Sequence, residues 1–148
     1  MLLPEMWLMS SVDDVIYSLP KSVLHRCNHE NNWEGVDGRA ILDGAVGSLR
    51  ALLKAGNKVI FDAVVSNETN ADGIGEAVSG FDALTIELKC ELAVLKRRAS
   101  GRGDRTMEET RRTFESSRAH VEPDLVLDSS KHTSEELASK VVDEIRKF

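Results

Sequence analysis

The apolar run Trp7-Leu8-Met9 leads into Ser10-Ser11-Val12-Asp13-Asp14. If that run is a strand of a parallel sheet, its last residues face the crevice where open α/β sheets bind ligands. A carboxylate there, Asp13, is placed to accept a proton from a substrate hydroxyl during attack on phosphorus. The competing reading is that Asp13 or Asp14 only caps the helix that follows. A second acid, Asp62, interrupts Val59-Ile60-Phe61-Asp62-Ala63-Val64-Val65. An acid after an apolar strand can hold Mg²⁺ through water. Its plainer reading is a strand-end acid facing solvent, since a charge inside such a run is costly without a partner. The stretch Lys96-Arg97-Arg98-Ala99-Ser100-Gly101-Arg102-Gly103-Asp104-Arg105 sets arginines between glycines. Such a segment can form a cationic flap that closes over phosphates and neutralises a transferring phosphoryl group. Its alternatives are a solvated helix end and a nucleic-acid patch, and no interleaved aromatics support the patch.

Other chemistry is poorly supported by the spacing. His25, Cys27 and His29 lie within five residues, and the two histidines share a face if that segment is helical. Zinc sites want three or four ligands, and no second Cys/His cluster follows. No Gly-x-Ser-x-Gly elbow occurs. Nor does Gly-x-x-x-x-Gly-Lys-[Ser/Thr], the loop that cradles nucleotide phosphates.

The elements that must position these residues alternate short apolar runs with helical stretches, which predicts an α/β fold with parallel strands. Strands are expected over 7–12, 58–65, 83–90 and 124–128. The 58–65 run is nearly continuous in apolar character, as when both faces are covered. A short helix is expected near 14–18, stopped before Pro20, and residues 21–37 read as a loop. Ile41, Ala45, Val46, Leu49, Leu52 and Leu53 recur at helical spacing over 38–55, before Gly56. Further helices are expected over 68–79 and 91–98, and from the Thr106/Glu109 capping box to about 119. A second box, Thr133/Glu136, opens a helix in which Leu137, Val141, Ile145 and Phe148 recur to the end.

The bulk properties fit this picture. The chain has 148 residues, the size of one ordinary domain, with 41% hydrophobic and 30% charged residues. Its two cysteines, Cys27 and Cys90, suggest a reducing compartment, and a cytoplasmic location is expected. The N-terminus, without a basic leader and broken by Pro4 and Glu5, argues against a signal peptide. The formal net charge of -6 argues against general nucleic-acid or anionic-membrane binding.

Taken in order, several segments resemble the chloramphenicol phosphotransferase-like kinases. They are Leu3-Pro4-Glu5-Met6-Trp7-Leu8 with Val12-Asp13-Asp14-Val15-Ile16-Tyr17-Ser18-Leu19-Pro20, then Lys54-Ala55-Gly56-Asn57-Lys58-Val59-Ile60-Phe61-Asp62. Leu88-Lys89-Cys90-Glu91 follows, with Arg98 and Arg102-Gly103-Asp104-Arg105, then His120 and Asp124-Leu125-Val126-Leu127-Asp128-Ser129-Ser130. The resemblance implies a single domain over 1–148 with a three-layer parallel sheet of P-loop kinase type. It implies ATP and Mg²⁺, and transfer of the γ-phosphoryl group to a small-molecule hydroxyl acceptor such as chloramphenicol. By position, Asp13 would be the general base, Asp62 would lie near Mg²⁺ through water, and Arg98, Arg102 and Arg105 would contact phosphates from a lid over about 97–118.

The chain departs from that pattern in two ways. Position 14 is acidic where the family usually has a small hydroxyl residue. The family's first, central strand and its Walker A loop have no counterpart in residues 1–148. The expectation is therefore an N-terminally shortened kinase, inactive as given. The alternatives are a natural loop-less relative that binds a ligand or partner, and a sugar-nucleotide kinase of toxin type. Strands 58–65 and 83–90 are expected to be adjacent in one sheet, pairing directly or flanking the gap left by the central strand, and their placement on different sheets would make the family assignment wrong.

Overall fold

A computed structural model describes residues 6–102, 107–117, 120 and 122–147. Two compact units emerge, one of residues 6–64 with 69–81, the other of the remaining described residues.

In the first unit, β1 (Leu8–Ser11) pairs in parallel with β2 (Val59–Asp62), in the register Leu8 to Val59 through Ser11 to Asp62. Both strands are shorter than the apolar runs that contain them. The ladder stops at Asp62 because its partner strand turns into α1 (Val12–Ile16) straight after Ser11. Ser11 caps α1 reciprocally with Asp14. The Asp14 amide donates to Ser11 Oγ at 3.1 Å, and the Ser11 amide donates to Asp14 Oδ2 at 2.7 Å. Residues 21–30, read above as loop, form the helix α2 (Lys21–Glu30). Pro20, with φ -53°, sits at its N-cap and starts this helix as well as ending the previous one. Asn31 closes α2 in the left-handed conformation, at φ 49°.

The expected long helix is α3 (Gly38–Lys54), capped by Asp37, whose side chain accepts from the Arg39 and Ala40 amides. Ala45 and Leu49 of α3 are buried and form the core of this unit with Cys27 and Ala77. α3 packs on α1 and β2. From α3, Arg50 reaches α4 (Glu68–Val78) and donates to the carbonyls of Glu76, Ala77 and Ser79, with its guanidinium 5.8 Å from the Phe81 ring centre. The opposite face of the strand pair is bare. Met9 and Ile60, opposite one another in register, are 70% and 38% exposed. The expectation that both faces of 58–65 are covered therefore fails at Ile60.

In the second unit, β3 (Ile86–Lys89) pairs in parallel with β4 (Leu125–Asp128), in the register Ile86 to Leu125 through Lys89 to Asp128. α5 (Leu92–Arg102) and α6 (Met107–Ser116) pack on each other and bury Ala99 and Thr110. α5 runs four residues past the expected end, through Gly101. α7 (Ser134–Ile145) opens on the expected Thr133/Glu136 box, with the Thr133 amide 2.8 Å from Glu136 Oε2 and the Glu136 amide 3.3 Å from Thr133 Oγ1. The other expected box begins at Thr106, outside the described residues.

The strands within 58–65 and 83–90 do not pair with each other; each belongs to a separate two-stranded sheet. The expected direct pairing is therefore not found. The described residues show α/β structure with parallel pairing throughout. No helix among them is long and apolar enough to cross a membrane.

Candidate functional site

Chemistry-bearing side chains gather at the C-terminal ends of both parallel pairs, where sheet geometry presents residues to a ligand. In the first unit the β1–β2 pair ends on Ser11 opposite Asp62, and Asp13 follows two residues on. The capping box separates the two neighbouring acids. Asp14 is committed to the Ser11 amide. Asp13 is exposed, and its carboxylate has no hydrogen bond or ion pair among the described residues. Helix capping therefore accounts for Asp14 and leaves Asp13 available as a proton acceptor. It also gives the acidic residue at position 14 a local structural role.

Asp62 is the last residue of β2 and is exposed, so it escapes the cost of burying a charge inside an apolar run. It too has no partner among the described residues. No group of three or more His, Cys, Asp or Glu side chains there could enclose a metal ion. A single carboxylate such as Asp62 would fit Mg²⁺, which keeps most of its waters and needs only one or two carboxylates beside substrate phosphates. His25 and His29 stack on α2 with ring centres 4.5 Å apart, and His25 Nδ1 lies 3.9 Å from Glu30.

In the second unit the end of the β3–β4 pair is organised around Arg98. Its Nη2 donates to the Ser129 carbonyl at 2.6 Å, and its Nη1 to Ser129 Oγ at 3.1 Å and to Cys90 Sγ at 3.6 Å. These acceptors are neutral, and no carboxylate among the described residues forms an ion pair with Arg98. An exposed guanidinium fixed in this way keeps its charge for an anion. Asp128, the last residue of β4, is by contrast satisfied. The Lys131 ammonium, 3.0 Å away, and the Ser130 amide hold its carboxyl below the usual carboxylate range, and the same contact raises the Lys131 ammonium.

The segment expected to form a lid is only partly among the described residues. Residues 97–102 form the last turns of α5, and 107–116 are α6, so the described part of 97–118 is largely helical. Arg102 closes α5; its side chain, and all of Arg105, lie outside the described residues. Arg111 in α6 is neutralised by Glu108 at 2.7 Å and Glu115 at 3.0 Å, and Arg111 in turn lowers the Glu108 carboxyl. Cys90, Ser129 and Ser130 were not singled out from sequence as site residues. Their signal was a pair of hydroxyls directly after a strand, Leu-Val-Leu-Asp-Ser-Ser.

A family model described as chloramphenicol phosphotransferase-like protein matches residues 1–146. That match shows the family although the two strand pairs lie in separate sheets, so the separate sheets do not overturn the assignment. No curated protein matches the chain.

Proposed function

The chain belongs to the chloramphenicol phosphotransferase-like family, and from that premise we propose that it serves ATP-dependent phosphoryl transfer to a small-molecule hydroxyl. The frame is the three-layer P-loop kinase architecture that the family implies. The observation that carries the reading is Arg98, a cation held by neutral groups at the C-terminal end of a parallel strand pair, with no carboxylate among the described residues to cancel it. Asp13 takes the acceptor's proton as its oxygen attacks the γ-phosphorus and the bond to the ADP oxygen breaks. Arg98 neutralises phosphate charge, and Arg102 and Arg105 extend that duty. Asp62 would hold Mg²⁺ through water, and the ion would supply further charge neutralisation at the phosphates when bound. The acceptor is a hydroxyl compound of antibiotic type, and the location is the cytoplasm.

Residues 1–148 contain no phosphate loop, so the chain alone lacks the main cradle for ATP. The test is a chimera carrying the first strand, phosphate loop and helix start of a family member ahead of Met1. Phosphorylation of chloramphenicol or a related hydroxyl compound by the chimera, abolished by Asp13→Asn, supports the reading. A folded chimera that binds Mg-ATP and phosphorylates no hydroxyl compound of this class refutes it. A loop-less binding role is then the surviving alternative.

A further inference from the structure

We infer that Ser129 is a positioning residue for Arg98, holding both terminal nitrogens and leaving the Nε–H and the charge open to a phosphate oxygen. The inference rests on the reading of Arg98 given above. An arginine side chain has many rotamers, and an exposed one is normally spread among them. Here one residue engages both terminal nitrogens, because Ser129 accepts from Nη1 through its hydroxyl and from Nη2 through its carbonyl. Cys90 Sγ adds a third contact on Nη1. The Nε–H has no partner among the described residues. That N–H, on a guanidinium whose charge no acceptor cancels, is open to a phosphate oxygen.

The turn that carries Ser129 is itself fixed. The Ser129 amide donates to the Lys89 carbonyl at 2.8 Å, which extends the β3–β4 ladder by one step. Next to it, Ser130 Oγ accepts from the Glu91 amide at 2.6 Å and lies 3.5 Å from Cys90 Sγ. Arg98 is thus referenced to the strand ends through a short, hydrogen-bonded turn. A carboxylate at position 129 would hold the guanidinium more strongly but would cancel its charge. A serine orients it and leaves the charge in place.

The experiment follows the arginine side-chain Nε–H signals of the 148-residue protein by nitrogen-edited NMR while inorganic pyrophosphate is added into the millimolar range. The Arg98 signal should move on titration, and Arg98→Ala should abolish that binding. Ser129→Ala should raise the dissociation constant about ten-fold, as for loss of a hydrogen bond to a charged group. It should also broaden or mobilise the Arg98 signal, which a loss of stability alone would not do selectively. Ser129→Thr, which keeps the hydroxyl, should restore both, and backbone amide spectra report whether each variant is folded. If Ser129→Ala leaves affinity and Arg98 motion unchanged while Arg98→Ala abolishes binding, the positioning role is overturned and the phosphate reading of Arg98 stands. If pyrophosphate does not bind, or Arg98→Ala leaves binding intact, both fall together.

Discussion

Neighbouring carboxylates at 13 and 14 should separate cleanly into a chemical and a structural role. Asp14→Ala removes the acceptor of the 2.7 Å bond from the Ser11 amide and breaks the capping box that joins β1 to α1. Loss of such a cap costs about 1 kcal/mol, or roughly 3 °C in melting temperature for a chain of this size. Asp13→Asn breaks no side-chain hydrogen bond among the described residues. It removes only one charge from the start of a short helix, an effect of about 0.3 kcal/mol at an exposed position and so about 1 °C. In the phosphate-loop chimera the order should invert. Asp13→Asn should slow transfer by ~10²–10⁴-fold, the usual loss with a general base, which corresponds to about 3–5 kcal/mol in the barrier. Asp14→Ala should leave the chemical step within about three-fold, because a change well under 1 kcal/mol is expected there. Scanning calorimetry gives the stability arm, and single-turnover quench-flow with saturating Mg-ATP gives the chemical arm. An unchanged chemical step in Asp13→Asn, or equal losses in both variants, would refute the assignment of Asp13 as the base.

Three other outcomes are expected. The 148-residue chain should bind Mg-ATP more weakly than low-micromolar in calorimetric titration, since lid arginines without a phosphate loop are a poor cradle. Leu49→Ala should cost about 2–5 kcal/mol, read from denaturant melts, because Leu49 is 2% exposed in the core of the first unit. Stability should fall in acid with identifiable contributors. Asp128, lowered mainly by Lys131, and Glu136, lowered mainly by the Thr133 amide, both stabilise the fold above their unfolded values of 3.8 and 4.5. That support is lost as pH drops through the depressed folded values, so Asp128→Asn and Glu136→Gln should each flatten the melting-temperature profile below about pH 4.5.

Much of the frame was legible because it is local. The Thr133/Glu136 box and the α3 periodicity depend on residues three or four apart, and both appear as read. α2 was illegible because Lys21 to Glu30 lacks a clear apolar stripe; Pro20 and Asn31 define it from outside. Strand lengths were overestimated because apolar character marks what could pair, whereas the partner decides what does. β2 ends where β1 runs out. Asp13, Asp62 and Arg98 were named as candidates from type, context and resemblance, and their roles stand as proposals. The separation of Asp13 from Asp14 needed the actual cap. The hold on Arg98 could not be read, because Ser129 lies 31 residues away in sequence.

Arg50 gives α4 an unusual dependence. Gly73 and Gly75 make that helix weak by itself, yet its terminal carbonyls are gathered by a side chain 26 to 29 residues earlier. Its end is therefore tied off by another helix, so α4 cannot fray from that side while α3 remains in place. Solvent exchange at the amides of the last turn of α4 should then report the integrity of α3 more than the local sequence, and the two helices should lose protection as one cooperative step.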